Sequence, residues 1–135
     1  MKTFDVQSIE LSVARQTAFA FIADPATLPR WTSAFATVTG NQARLCTPNG
    51  EVEIILEVRA SVESGTIDWL MTFPDGNLAT AYSRVVEINR GCCVYSFVLT
   101  PPPVPLELLE GALASQSVTL AEELRRLKAL LESEK

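Results

Sequence analysis

PLELLEGALASQSVTLAEELRRLKALLES, residues 105–133, decides how the rest of the chain is read. Leu106, Leu109, Leu113, Ser117, Leu120, Leu124, Leu127 and Leu131 recur every three or four positions, which places them on one stripe of a single amphipathic helix. At 1.5 Å of rise per residue such a helix spans roughly 40 Å. So long an apolar stripe needs a broad surface beneath it, and the preceding residues are read as the sheet that supplies one.

Before this helix, Pro101-Pro102-Pro103 ends a long run of strands. Cys92 to Leu99 places Cys93, Tyr95, Phe97 and Leu99 on one face, and Thr66 to Phe73 does the same for Ile67, Trp69, Met71 and Phe73. Glu51 to Ala60 alternates cleanly, with Val52, Ile54, Leu56 and Val58 opposite Glu51, Glu53, Glu57 and Arg59. Further strands are expected at Phe35 to Thr39, Ala43 to Thr47 and Leu78 to Asn89. Turns are expected at Gly40-Asn41, Pro48-Asn49-Gly50, Ser64-Gly65, Pro74-Asp75-Gly76-Asn77 and Arg90-Gly91. Short turns between successive strands mean an antiparallel meander.

The beginning differs. Thr3 to Ser12 carries Phe4, Val6, Ile9 and Leu11, an alternation that slips once and predicts a bulge or bend near Gln7-Ser8. Ala14 to Ala23 reads as a short helix capped by Ser12, and Ala26 to Trp31 as a second one after Asp24-Pro25. The expected architecture is α+β: a curved antiparallel sheet of six to seven strands wrapped around the C-terminal helix, with two short helices after the first strand. No internal repeat is apparent, and residues 1–135 are expected to form one domain.

Composition excludes several functions. A net charge of −5 argues against a nucleic-acid partner, which needs a basic face. Arg125, Arg126 and Lys128 share their helix with Glu122, Glu123 and Glu132, which predicts a solvated, charge-balanced face. No apolar run approaches the ~20 residues of a membrane span, and no signal core is apparent. Three cysteines, two adjacent, make a poor disulfide framework, so a cytoplasmic location is expected. With no histidine in the sequence, the usual general base and imidazole ligands are missing, and the cysteine spacing fits no metal. Neither a metal nor a cofactor is expected.

Ser12-Val13-Ala14-Arg15-Gln16-Thr17-Ala18-Phe19-Ala20-Phe21-Ile22-Ala23-Asp24-Pro25 and the following Ala26-Thr27-Leu28-Pro29-Arg30-Trp31 resemble the first helix and the D-P-x-x-L-P-x-W corner of the START-like superfamily. That superfamily is also called SRPBCC, the polyketide cyclase/dehydrase and lipid-transport group. The motif is close over residues 12–31, whereas the order of elements matches over nearly the whole chain. The resemblance implies a helix-grip fold with an internal cavity between the sheet and the long helix. It implies a small hydrophobic or amphipathic ligand, lipid-like or polyketide-like, and many unrelated activities use this fold.

On that expectation the candidate lining is Trp31, Phe35, Trp69, Met71, Phe73, Tyr95, Phe97, Leu109, Leu113 and Ser117. Polar groups that could face it are Arg44, Asp68, Tyr82, Ser83, Arg84, Tyr95 and Ser117; Asp68 and Arg84 fit equally an exposed cross-strand pair. Tyr95 stands out because its own face is otherwise apolar. Small residues around Gly111 (Ala112, Ala114, Ser115) place any pocket under residues 106–117, while Leu120 to Leu131 reads as plain anchoring. Two other functions stay open: a cyclase or dehydratase in the same cavity, with Tyr95 or an arginine placing an enolate, and a partner-binding module using an outer face. The sequence assigns no acid–base pair and no oligomeric state.

Overall fold

The computed structural model describes residues 4–47, 50–89, 91–99 and 106–133, apart from the side chains of Thr47 and residues 106–115. The chain runs β1 (Asp5–Leu11), α1 (Arg15–Ile22), a 3-10 turn (Pro25–Thr27), α2 (Leu28–Trp31), β2 (Phe35–Thr39), β3 (Gln42–Thr47), β4 (Gly50–Ser61), β5 (Thr66–Thr72), β6 (Leu78–Asn89), β7 (Cys92–Leu99) and α3 (Leu106–Ser133). Its seven strands form one antiparallel sheet in the order β1-β7-β6-β5-β4-β3-β2, so the first strand crosses to pair with the last. This is the α+β helix-grip arrangement expected from the sequence.

The inward side of the sheet follows from the two-residue period of each strand. Leu11, Ala43, Leu45, Ile54, Leu56, Ile67, Trp69, Val85, Cys93 and Tyr95 are buried there, against Val13, Ala18, Ile22, Leu28 and Trp31 of the helical corner. Leu120, Leu124, Leu127 and Leu131 of α3 complete that core. Burying each leucine contributes about 1.5–3 kcal/mol. The leucine stripe is therefore the main tether between helix and sheet over residues 120–131. Pro101 to Pro105, the Pro48-Asn49 turn and the side chains around Gly111 lie outside the described residues.

Three local expectations need correction. β1 pairs with β7 in unbroken register from Asp5↔Leu99 to Leu11↔Cys93, so no bulge lies at Gln7-Ser8. The apparent slip arises because Asp5 and Gln7 occupy inward positions with Ile9 and Leu11, while Val6 is half exposed on the outer face. α1 begins after Ala14, which supplies no side-chain cap, so Ser12 is not the capping residue. Glu123 is buried rather than solvated. It sits three residues after Leu120 and four before Leu127, on the leucine stripe itself.

The corner is locally determined. Asp24 Oδ1 accepts from the Ala26 N–H at 3.0 Å, with Pro25 next in the first turn, where its missing N–H costs nothing. Thr27 Oγ1 reaches the carbonyls of Phe21 and Asp24 at 2.7 and 2.8 Å. At the β4–β5 turn, Gly65 has φ +76°, and a Cβ there would fall 2.3 Å from the Val85 carbonyl oxygen. Only glycine fits.

Candidate functional site

Strand register sorts the inward face into two regions. Leu11, Cys93, Tyr95, Val85 and Ile67 are themselves fully buried. Toward the β5–β6 turn the packing loosens, and Met71, Phe73, Ala81, Phe97 and Leu99 are only partly buried against the core. In this second region Met71 lies opposite Ala79, Trp69 opposite Ala81, and Ile67 opposite Ser83, which is opposite Phe97. Three small residues, Ala79, Ala81 and Ser83, thus follow one another on the inward side of β6. They face larger side chains of β5 and β7 on either side.

Four rings of the inward face and α2 meet in sequence. Trp31 meets Tyr95 edge-on at 6.3 Å, Tyr95 meets Phe97 at 6.4 Å, and Phe97 meets Trp69 at 6.1 Å. Trp31 Nε1, Trp69 Nε1 and the Tyr95 hydroxyl are fully buried without a hydrogen-bond partner. Buried polar groups are nearly always paired, because an unpaired one keeps its full desolvation cost of about 1–3 kcal/mol. Three unpaired groups joined through ring contacts therefore mark this area out. Burial drives the Tyr95 phenol far above its usual range, and the nearby Ser83 hydroxyl pulls the other way. Ser83 Oγ donates to the Ile67 carbonyl at 2.6 Å, so its own proton is committed.

The expected lining residues fall as follows. Trp31, Trp69 and Tyr95 are buried in the ring chain, and Phe97 is half-buried within it. Met71, Phe73 and Phe35 are half-buried, the last at the start of β2. Ser117 is half-buried on α3, and its carbonyl oxygen accepts from Gln7 Nε2 at 2.7 Å. The Leu109 and Leu113 side chains lie outside the described residues, as does most of the surface expected beneath residues 106–117.

Several expected polar groups do not reach this area. Exposed Arg44 on the outer side of β3 pairs with Glu53 at 2.8 Å and Glu51 at 3.5 Å, bordering a shallow polar hollow with Thr37, Thr39 and Gln42. Tyr82 is half exposed. Asp68 lies opposite Tyr82 rather than Arg84, and Arg84 Nε donates to the Ser64 carbonyl at 3.0 Å, so these two form no direct cross-strand pair. Burial pushes the Cys93 thiol up, which suits a packing residue rather than a nucleophile. Among the described residues, no group of three or more His, Cys, Asp or Glu is placed to hold a metal.

The sequence reading passed over four residues. Ala79 and Ala81 were legible, since the alternation that places Val85 inward also places them there. Gln7 was hidden by the assumption that only apolar residues point inward. Glu123 was legible from its spacing in the leucine stripe. Its carboxylate accepts from the backbone N–H groups of Ser33 and Ala34, which ties α3 to the exit of α2. Burial raises its pKa, while those hydrogen bonds and Arg126 pull the other way.

No protein-family model matches the chain, and no curated protein matches it by sequence. The structure is similar to that of XoxI from Bacillus cereus, with TM-score 0.70 and 15% identity over 96% of each chain. It is similar to a START superfamily protein from Mycobacterium smegmatis, with TM-score 0.66 and 14% identity over 99% of this chain and 100% of the other. A third likeness is to the ZhuI aromatase/cyclase from Streptomyces sp. R1128, with TM-score 0.64 and 7% identity over 97% and 92%. At such identities the likeness concerns fold, and the chain has the START-like helix-grip fold. Among the described residues, no helix is long and apolar enough to cross a membrane.

Proposed function

We propose that this chain binds a small apolar or amphipathic molecule between the inward face of its sheet and α3. The observation that carries the proposal is the run of small residues Ala79, Ala81 and Ser83 on the inward side of β6, beside the partly buried Met71, Phe97 and Leu99. The fold's occurrence in a START superfamily protein and an aromatase/cyclase is compatible with a ligand-binding role. Trp31, Phe35, Trp69, Met71, Phe73, Tyr95 and Phe97 are the lining on this proposal, with Leu109, Leu113 and Ser117 from α3. Its three free cysteines fit a reducing, cytoplasmic setting, and its net charge of −5 disfavours nucleic acid.

Binding is favoured over catalysis by what the site offers. Among the described residues, the buried titratable groups in reach of α2 and the inward face are Tyr95, Cys93 and Glu123. Glu123 is held by Ser33 and Ala34, and Cys93 is a packing residue, so no acid–base pair forms among the described residues. Docking of another protein has one observation in its favour. Val6, Val98 and Tyr82 form an outward row, with Phe4, Val6 and Tyr82 each about half exposed, but Ser8, Ser96 and Arg84 interrupt the apolar surface beside it.

Native mass spectrometry of the gently purified protein, followed by fluorescence titration of its two tryptophans with a panel of apolar molecules, tests the proposal. The expected result is saturable one-to-one binding that Ala81→Leu abolishes while the fold persists. Absence of saturable binding across the panel, with no small-molecule adduct, overturns it.

A further inference from the structure

α2 is a single turn, Leu28–Trp31, and a helix that short does not hold itself together. At its exit the Thr32 N–H and Oγ1 both donate to the Leu28 carbonyl, at 2.9 and 2.7 Å. Farther on, the Ala34 carbonyl accepts from the Cys46 N–H of β3 at 2.7 Å. The N–H groups of Ser33 and Ala34 go to one acceptor, the Glu123 carboxylate of α3. One side chain thus joins α3 to the exit of α2, two residues after the buried Trp31 that meets Tyr95 edge-on.

This is a costly place for a charge. Leu120, Leu124 and Leu127 are buried on the same stripe, and Glu123 itself is only 8% exposed. Two N–H bonds leave the carboxylate's remaining lone pairs short of water. Among the described residues, Arg126 on α3 is the charge that favours ionisation. Arg30 of α2 lies over the Phe21 ring at 5.2 Å, and Asp24 caps the 3-10 turn. β2 carries no titratable residue. On β1, Asp5 accepts from Gln7 at 2.9 Å and Glu10 is exposed on the outer face, while Lys128 of α3 pairs with Glu132. Burial outweighs Arg126 and the two N–H bonds, so the closed corner raises the pKa of this carboxyl.

We propose that Glu123 is a proton-linked latch: the neutral carboxyl keeps α2 docked on α3, and ionisation favours release of Ser33 and Ala34, loosening Trp31 with them. A neutral carboxyl still accepts N–H bonds on its carbonyl oxygen. Once the corner swings away, water reaches the carboxylate and its pKa returns to the ordinary range. The closed state therefore binds the proton more tightly than the open one. Opening grows as pH rises from the ordinary carboxylate range through the raised value, then levels off. The motion is local, because the leucines on either side of Glu123 keep α3 on the sheet in both states. This latch is independent of what the protein binds.

Amide hydrogen exchange followed by NMR from about pH 4 to about pH 8, with intrinsic rates divided out, tests the latch. Protection of the Ser33 and Ala34 amides is expected to fall severalfold as pH rises, while the Leu124 and Leu127 amides keep theirs. Glu123→Gln keeps an acceptor and cannot ionise, so its Ser33 and Ala34 protection should not change with pH. In Trp69→Phe, where Trp31 is the one tryptophan left, emission should move to the red over the same range. Wild-type protection at Ser33 and Ala34 that ignores pH overturns the proposal, as does an equal fall in Glu123→Gln. A parallel loss along α3 marks global unfolding and overturns it too. Should Glu123→Gln fail to fold, carbon-13 titration of the wild-type Glu123 carboxyl decides. A midpoint in the ordinary carboxylate range overturns the latch, and a raised midpoint shared with the Ser33 amide supports it.

Discussion

The two regions of the inward face are made from the same strands and differ in what lies on β6. Where Val85 stands beside Tyr95, both side chains are fully buried. A few residues along the same strand, Ala79 and Ala81 replace the branched side chain, and Met71, Phe97 and Leu99 keep partial exposure. The closed region is held by leucines of α3 and supplies stability. Buried donors without partners occur in both, at Tyr95 in the closed region and at Trp69 across from Ala81 in the open one.

The largest effect that sharpens this contrast is expected from Leu127→Ala. Its side chain is fully buried, and urea denaturation should show a loss of about 2–5 kcal/mol. Met71→Ala, in the open region, should cost clearly less, and equal losses would erase the distinction. Gly65→Ala comes next, with a loss of at least ~2 kcal/mol, since its positive φ and the Val85 carbonyl leave no space for a Cβ. Tyr95→Phe removes a buried hydroxyl without a partner and should stabilise the protein by about 1 kcal/mol.

The smallest effect concerns pH. Burial raises the folded-state pKa of Glu123, so its ionisation penalises the native state. The stability it contributes is complete below the unfolded carboxylate range and is lost as pH rises through the raised value. Relative to wild type, Glu123→Gln should therefore be more favourable at pH 7 than at pH 4. A stability difference that does not change with pH would place Glu123 in solvent.

How much of this was legible in the sequence depended on whether a residue obeyed the period of its element. The strands, the anchoring leucines and the corner at Asp24-Pro25 did so, and the fold followed from them. Inward-facing polar residues broke the apolar alternation and misled. Gln7 was taken as a sign of a bulge when it grips the Ser117 carbonyl, and Glu123 as a surface charge when it holds the α2 exit. The alternation placed Trp69 and Tyr95 inward, but the absence of partners for their polar atoms needed three dimensions. So did the juxtaposition of Ala81 with Trp69, which depends on strand register.

The bonds between β1 and α3 have a consequence for how the protein is made. Gln7 reaches Ser117, Lys128 Nζ reaches the Glu10 carbonyl at 2.8 Å, and Glu132 accepts from the Ser12 N–H at 2.9 Å, across sequence separations of 110 to 120 residues. Contacts this remote carry a large loop-closure entropy and delay folding. On the ribosome, the sheet stays without the leucines of its core until α3 has emerged. Until then the apolar inward face is exposed to whatever the cell offers, and folding of this sheet completes only when α3 meets β1.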